Sequence, residues 1–239
     1  MLGGLCKLGR CSQTYVVPVL ARTRKLVRTK AMSEKIEIDI TSDTVCPWCY
    51  IGKRRLERAI EQMQEEGKQF EVRWHPFQLN PDAPPEGRNK LEYYKQKFGS
   101  DRTAHMIPMM KETFKKEGLD YTMDGLTGNT LDSHRLIAYA GRQGYDVQDK
   151  VVEELFKAYF TEGKYINDPE VLKEAAKAAG VEEYEWVIQD PSIVLDQVKH
   201  ELKLHAAGVT GVPHFVINGR YHLSGAQDTS TFVEVLSQL

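Results

Sequence analysis

Residues 36–53 read IEIDITSDTVCPWCYIGK and place two cysteines, Cys46 and Cys49, directly after a strand pattern. The isoleucines at the start of this stretch alternate with polar residues, and a period of two predicts a β-strand. A helical pattern then runs to about residue 67, and residues 70–77, FEVRWHPF, alternate again. Strand, helix and strand in this order predict a βαβ unit with parallel strands.

The C-terminal part of the chain predicts a β-hairpin followed by a helix. The segments HFVI and RYHL flank Asn218-Gly219, the dipeptide most typical of a tight hairpin turn. A final helix is predicted over about residues 227–239. The middle of the chain predicts helices instead, over residues 128–144, 147–163 and 168–180; the last of these has Asp168 as N-cap, Pro169 at the first position and Gly180 after the end.

These patterns predict an α/β domain that is split by an inserted helical region. We expect the α/β part to comprise residues 33–78 and 190–239, with the helical insertion over residues 79–189. Residues 1–32 carry seven Lys or Arg and no acid, which is typical of an organellar transit peptide; the alternative is an extension before a start at Met32. The remainder has 25 basic and 34 acidic residues, a net charge of −9, which disfavours nucleic acid as a partner.

The cysteine content indicates a reducing compartment. Cys6 and Cys11 lie in the extension, so the body of the chain keeps only the CPWC pair. A secreted disulfide scaffold would carry more cysteines at distributed spacings. We therefore expect a cytoplasmic protein, or a mitochondrial or plastid one if residues 1–32 are a transit peptide. No apolar run approaches the ~18 residues of a membrane helix, so we expect no membrane partner.

A CxxC pair has four readings, and three of them fit poorly. A structural zinc site needs four ligands, and His200 and His205, five residues apart on a helix, cannot converge on one ion. Attachment of c-type haem requires a histidine where Tyr50 stands. A disulfide between such close neighbours constrains the unfolded chain very little. We therefore expect neither metal nor haem at this site.

The redox reading fits the surroundings of the pair. Pro47 suits the first turn of a helix, which puts Cys46 at the N-terminus, where free N–H groups and the helix dipole stabilise a thiolate. A thiolate is the nucleophile in disulfide exchange. Cys49, one turn later on the same face, is placed to attack the mixed disulfide that Cys46 forms. The sequence predicts catalytic roles for both cysteines.

The motifs CPWC, RWHPFQLNP, NTLDSHRL, LFKAYFTEG, GVTGVPHFVI and LSGAQ follow one another from about residue 36 to 236. In this order they resemble the FrnE-like branch of the DsbA-like thioredoxin superfamily. The resemblance implies a thioredoxin fold with a large all-helical insertion and an active site of Cys46, Pro47, Trp48 and Cys49. It also implies a cis peptide bond between Val212 and Pro213 that faces the cysteines.

The same resemblance implies thiol–disulfide oxidoreductase or isomerase activity on protein or small-molecule disulfides. The chemistry needs no bound cofactor, and glutathione or a reductase would exchange electrons with the pair. Two alternatives remain open. Related kappa-class and chromene-carboxylate enzymes are glutathione-dependent transferases or isomerases with Ser in place of Cys46, and a thioredoxin scaffold can also serve as a non-catalytic adaptor.

Six further residues receive predicted roles or alternatives. Trp48, Val212 and Pro213 are expected to hold the substrate, although Pro213 would also suit the start of the HFVI strand. His214 follows Pro213 and is a candidate for tuning the ionisation of the cysteines. His134 shares a helical stripe with apolar residues, which favours a hydrogen-bonded core histidine over a tuning role. Asp43 would disfavour a nearby thiolate, or would simply cap the loop.

Overall fold

The computed structural model describes residues 35–239, so the predictions for residues 1–32, with Cys6 and Cys11, lie outside the described residues. In chain order the helices and strands are β1 Ile36–Ser42, α1 Pro47–Glu65, β2 Phe70–Pro76, β3 Arg88–Asn89, α2 Lys90–Phe98, α3 Ser100–Lys116, β4 Leu126–Thr127, α4 Leu131–Gly141, α5 Tyr145–Phe156, a π-helix Lys157–Thr161, α6 Pro169–Ala179, α7 Tyr184–Gln189, α8 Leu195–His205, β5 His214–Ile217, β6 Tyr221–Ser224 and α9 Thr229–Ser237. None of the helices in this range is both long and apolar enough to cross a membrane.

A mixed sheet joins the two ends of the described chain. Its strand order is β2-β1-β5-β6, with β1 and β2 parallel and the other two pairs antiparallel. Ile40 in β1 lies between Trp74 of β2 and Phe215 of β5. The parallel βαβ unit predicted from residues 36–77 is therefore confirmed.

The core lies between this sheet and the helices around it. Ile38 and Ile40 of β1 are fully buried, because the alternation along the strand turns every second side chain into the interior. Helices α1 and α9 contact each other. Phe215 of β5 meets Phe232 of α9 edge to face, with the ring centroids 4.9 Å apart. Such a pair adds about 0.5–1.5 kcal/mol beyond the area that it buries.

The helices α2 to α7 lie between β2 and β5 in the chain, together with the two-residue antiparallel ladder of β3 and β4. The insertion is thus largely helical, with a short ladder that the sequence patterns did not indicate. With the four-stranded sheet it forms the thioredoxin fold with a helical insertion that the resemblance implies. The domain boundaries at residues 78 and 189 stay a prediction.

Local signals in the sequence locate several elements correctly. Asp168 caps α6 by accepting a hydrogen bond from the N–H of Glu170, and Gly180 ends the helix in the left-handed region. Asn218 and Gly219 have positive φ angles of 49° and 63°, as the predicted hairpin turn between β5 and β6 requires. The helix predicted over residues 147–163 differs, because after Phe156 it continues with π-helical rather than α-helical pitch.

Candidate active site

Cys46 stands at the junction between the loop after β1 and helix α1. It is the N-cap residue, with extended backbone angles, and Pro47 opens the helix. The N–H of Cys46 donates to the carbonyl of Asp43 at 3.0 Å, and its own carbonyl accepts from the N–H of Cys49 at 3.0 Å. Its Sγ atom donates to the carbonyl oxygen of Val212 at 3.4 Å. The side chain is therefore held at the positive end of the helix, where a negative charge is stabilised.

Cys49 lies behind Cys46 and is fully buried. Both carry free thiols. Burial, followed by the neighbouring Cys46 sulfur, raises the pKa of the Cys49 thiol well above its ordinary value. A protonated Cys49 is a weak nucleophile, so the two sulfurs are chemically distinct in the reduced protein.

A cavity of about 340 Å³ opens beside Cys46. Its wall includes Cys46, Pro47 and Trp48, but Cys49 does not line it. Trp48 is 39% exposed and presents part of its indole to the cavity. Only the first cysteine of the pair can thus meet a molecule that enters.

Val212 lines the same cavity, and the Val212–Pro213 peptide bond is cis, as the resemblance implies. Pro213 itself is buried and does not line the cavity. It packs against α1 so closely that a Cβ atom on Gly52 would lie 3.1 Å from the Pro213 ring. The strand β5 begins at the next residue, so Pro213 also fits its other predicted position, directly before a strand.

Asp43 is fully buried at the edge of the cavity. Its Oδ2 atom accepts a hydrogen bond from the N–H of Leu79 at 2.7 Å, which ties the loop after β1 to the first residues after β2. Its Oδ1 atom has no hydrogen-bond partner among the described residues, although the His134 Nε2 atom lies 3.5 Å away. The buried carboxylate therefore has a free acceptor.

His134 is buried in α4, and its Nε2 atom donates to the carbonyl of Phe77 at 2.8 Å. This agrees with the reading of a hydrogen-bonded core histidine. It does not line the cavity beside Cys46, and it reaches the site only through Asp43.

His214 faces away from the cavity. Its Nδ1 atom is 3.1 Å from the Ser224 Oγ atom and its Nε2 atom is 3.3 Å from the Nδ1 atom of His222. Burial, followed by the charge of His222, lowers the pKa of His214, so the ring is neutral at neutral pH. The structure thus brings Asp43, Cys46, Pro47, Trp48 and Val212 to one cavity, and it places the two histidines outside it.

Sequence reasoning missed the wall that the insertion contributes. This wall consists mainly of aromatic and apolar side chains with two cations, namely Arg88, Tyr93, Tyr94, Lys97, Phe98, Met106, Met110, Tyr121 and Tyr159. The segment KLEYYKQKF of α2 is unusual in clustering aromatic residues with lysines. Nothing in that pattern connects it with the cysteines, because the contact is made in the fold. Within residues 35–239, no three His, Cys, Asp or Glu side chains come together as ligands for a metal ion.

Comparison with known proteins places the chain in a family. Residues 37–237 match the family described as the DSBA-like thioredoxin domain. A probable DsbA oxidoreductase from Streptomyces coelicolor has a similar crystal structure, with 31% identity, a TM-score of 0.76 and coverage of 85% of this chain and 89% of the other. The uncharacterized protein YwbO of Bacillus subtilis (strain 168) is 25% identical over 84% of this chain and 96% of its own length.

A more distant likeness extends the same fold. The cytosolic disulfide reductase DsbM from Pseudomonas aeruginosa, solved with GSH, is 16% identical, with a TM-score of 0.55 and coverage of 84% of this chain and 98% of the other. Its likeness concerns the fold alone. The family match spans nearly all of the described residues, from β1 to the end of α9, and includes both cysteines. The chain belongs to the DSBA-like thioredoxin domain family.

Proposed function

We propose that the protein is a thiol–disulfide oxidoreductase in which Cys46 attacks the substrate and Cys49 resolves the intermediate. One observation carries the proposal: Cys46 lines the cavity at the start of α1, whereas Cys49 is fully buried behind it. This is the asymmetry that a two-step exchange requires. The family supports disulfide chemistry in general.

In the first step the Cys46 thiolate attacks one sulfur of a substrate disulfide. A Cys46–substrate disulfide forms, and the other half of the substrate leaves as a thiolate that takes up a proton. Cys49 then loses its proton to solvent and attacks the Cys46 sulfur. The Cys46–Cys49 disulfide forms and the second substrate thiolate leaves and is protonated. Two electrons and two protons have passed from the protein to the substrate.

The order of these steps follows from the pKa of Cys49. Part of the rise in that pKa comes from the neighbouring Cys46 sulfur. The mixed disulfide removes the charge of Cys46, and one cause of the raised pKa of Cys49 disappears with it. Burial still raises the pKa of Cys49, but the thiol becomes easier to ionise once Cys46 has formed the mixed disulfide.

The protein dithiol is restored by a second thiol, for which we propose glutathione. Two molecules of glutathione reduce the Cys46–Cys49 disulfide through the same two steps in reverse, and they leave as glutathione disulfide. The presence of GSH in the structure of the distant relative DsbM supports this choice of co-substrate. Excess disulfide in the surroundings would drive the protein in the opposite direction.

The proposal is tested with the reduced full-length chain and bis(hydroxyethyl) disulfide, followed by peptide mass mapping. The wild type should form an internal Cys46–Cys49 disulfide. Cys49→Ser should stop at a mixed disulfide on Cys46, because the resolving thiol is absent. Cys46→Ser should accumulate no adduct on Cys49, since that sulfur is buried. A stable adduct on Cys49 in the Cys46→Ser protein would reverse the assignment, and no reaction in the wild type would refute the function.

A further inference from the structure

The insertion contributes a wall to the cavity that combines aromatic rings with positive charge. Tyr93 and Phe98 of α2 line the cavity, and so do the cations Arg88 and Lys97. Arg88 precedes the helix, in the short strand β3, where it pairs with Thr127 of β4. Two separate elements of the insertion therefore bring cations to the space beside Cys46.

The side chain of Arg88 has no polar partner among residues 35–239. Its guanidinium carbon lies 3.9 Å from the centroid of the Tyr93 ring, so the planar group stacks on the aromatic face. Its Nε atom is buried and has no hydrogen-bond partner among the described residues. A buried donor without a partner is unfavourable, and a ligand that accepts from it would relieve the cost. The arginine thus stacks on Tyr93, while its Nε donor is left without a partner in the described part of the chain.

Lys97 is a second cation of the same wall. Its Nζ atom lies 5.4 Å from the centroid of the Tyr93 ring and 5.5 Å from that of Phe98. On the same helix Lys95 pairs with Glu92, whereas Arg88 and Lys97 form no ion pair with any of residues 35–239. What distinguishes Arg88 and Lys97 is their place in the wall of the cavity beside Cys46.

We propose that, given the proposed function, the substrate is a small disulfide that carries a carboxylate. The carboxylate pairs with Arg88 and Lys97, the body of the molecule lies against the rings of Tyr93 and Phe98, and the disulfide reaches Cys46. A fork of guanidinium donors matches a carboxylate in geometry as well as in charge. The acid in the cavity wall, Asp43, lies on the side of the cysteines. Its negative charge disfavours a carboxylate there, so we place the substrate carboxylate beside Arg88 and Lys97.

The size of the cavity agrees with a small molecule. A volume of about 340 Å³ is at the lower end of the range for small-ligand pockets, roughly 300–1,000 Å³. A folded or extended protein substrate would need a broader surface. The largely apolar wall supplies burial energy, and the cations supply the orientation that brings a disulfide to Cys46.

The proposal predicts a charge preference among small disulfides of similar size. Dithiodipropionate is anionic, bis(hydroxyethyl) disulfide is neutral and cystamine is cationic. We expect the second-order rate of oxidation of the reduced protein to fall in that order, after division by the rate of each disulfide with 2-mercaptoethanol, an uncharged thiol. Arg88→Gln and Lys97→Gln should each lower the preference for the anion over the neutral disulfide about threefold to fivefold, and the double variant should remove it.

Two variants separate a local site from a general effect of charge. Lys95→Gln removes one positive charge from the same helix outside the cavity wall, and its charge preference should equal that of the wild type. Arg88→Lys keeps the charge and should restore part of the preference that Arg88→Gln loses. Lys97 is exposed, so Lys97→Gln tests the site even if Arg88→Gln does not fold.

A second readout does not depend on disulfide exchange. In the Cys49→Ser protein, Cys46 is alkylated with anionic iodoacetate and with neutral iodoacetamide, and the ratio of the two rates is measured. Both reagents react with the same thiolate, so the ratio cancels any change in the ionisation of Cys46. The ratio should fall in Arg88→Gln and Lys97→Gln, and high salt should lower it in the wild type.

The two readouts distinguish failure of this inference from failure of the proposed function. If no disulfide oxidises the protein but the alkylation ratio depends on Arg88 and Lys97, the anion site stands and the oxidoreductase proposal falls. If all three disulfides react at equal normalised rates in the wild type, the inference is overturned. It is also overturned if Lys95→Gln lowers the preference as much as Arg88→Gln and Lys97→Gln do.

Discussion

The thiol of Cys46 donates a hydrogen bond to the carbonyl oxygen of Val212, 3.4 Å away, and both residues line one cavity. The carbonyl stabilises the protonated sulfur, whereas the N-terminus of α1 stabilises the ionised one.

The first prediction concerns this contact. Cys46→Ser keeps a donor for the carbonyl of Val212, so its free energy of unfolding in urea should stay within about 1 kcal/mol of the wild type, while disulfide exchange is lost. Cys46→Ala serves as the control, because it loses both the donor and the reaction. Exchange activity in Cys46→Ser would contradict the role of Cys46 as the nucleophile.

The second prediction concerns the dipeptide between the cysteines. In Trp48→His a histidine would stand in the first turn of α1, and its charged form would stabilise the adjacent thiolate. A more stable reduced form makes the pair more oxidising. We expect thiolate absorbance to persist to lower pH than in the wild type and the equilibrium with a glutathione buffer to shift toward the reduced protein. Trp48→Phe, which stays neutral, is the control, and an unchanged equilibrium in Trp48→His would contradict the prediction.

The third prediction concerns two glycines with positive φ angles. Replacement of Gly125 (φ +84°) or Gly67 (φ +88°) by alanine should lower the free energy of unfolding by about 1–2 kcal/mol, because alanine is strained in this backbone conformation. A Cβ atom on Gly125 would also lie 1.8 Å from the carbonyl oxygen of Gly163, whereas nothing lies within 4 Å of one on Gly67. Gly125→Ala should therefore lower the free energy of unfolding clearly more than Gly67→Ala. Equal losses of free energy of unfolding in urea would contradict the prediction, because they would show that the loop around Gly125 shifts to accommodate the Cβ atom.

The fourth prediction concerns pH and His75, which stacks on His205 with the ring centroids 3.5 Å apart. Burial disfavours its charge, but the hydrogen bond between its Nε2 atom and Asp39 and the carboxylate of Glu201, 3.5 Å from its Nδ1 atom, outweigh burial and raise the pKa of His75. A raised native pKa adds stability below the unfolded value of about 6.5, and this stability is lost as the pH rises through the native value.

His75→Gln should accordingly lower the free energy of unfolding more at a pH of about 5.5 than at about 8.5. Asp39 and Glu201 remain ionised at the lower pH, because their own pKa values are lowered in spite of burial. The stacked His205 has a lowered pKa, caused by burial and then by the charge of His75, and it reduces the effect without changing its sign. His105→Gln, on the exposed surface of α3, is the control. A larger loss at the higher pH would contradict the assignment.

Local sequence signals sufficed for the parts of the fold that depend on neighbouring residues. The start of α1 at Pro47, the caps of α6 and the turn at Asn218 and Gly219 all follow from side-chain and backbone preferences within a few positions. The family and the fold followed from the order of several such segments. The FrnE-like branch within the family stays a prediction.

The wall that the insertion contributes to the cavity depends on contacts between segments that are distant in the chain, so the sequence patterns could not predict it. Arg88 reaches the cavity because β3 pairs with β4, some forty residues later, a ladder of only two residue pairs that leaves no period in the sequence. His214 illustrates the opposite case, in which residues adjacent in the chain do not meet at the site. His214 is adjacent to Pro213 in the chain, yet the alternation of side chains in β5 turns it toward His222 of the next strand.

The π-helix after α5 sets the spacing of the residues beneath the cavity. It comprises five residues, Lys157–Thr161, and Tyr159 within it lines the cavity and donates a hydrogen bond to the Oγ1 atom of Thr127 at 2.8 Å, on the strand that pairs with Arg88. Deletion of one residue here would restore α-helical pitch and rotate the following side chains by about 100°. An insertion or deletion within this segment would therefore displace Tyr159 and remove its hydrogen bond to the strand that holds Arg88.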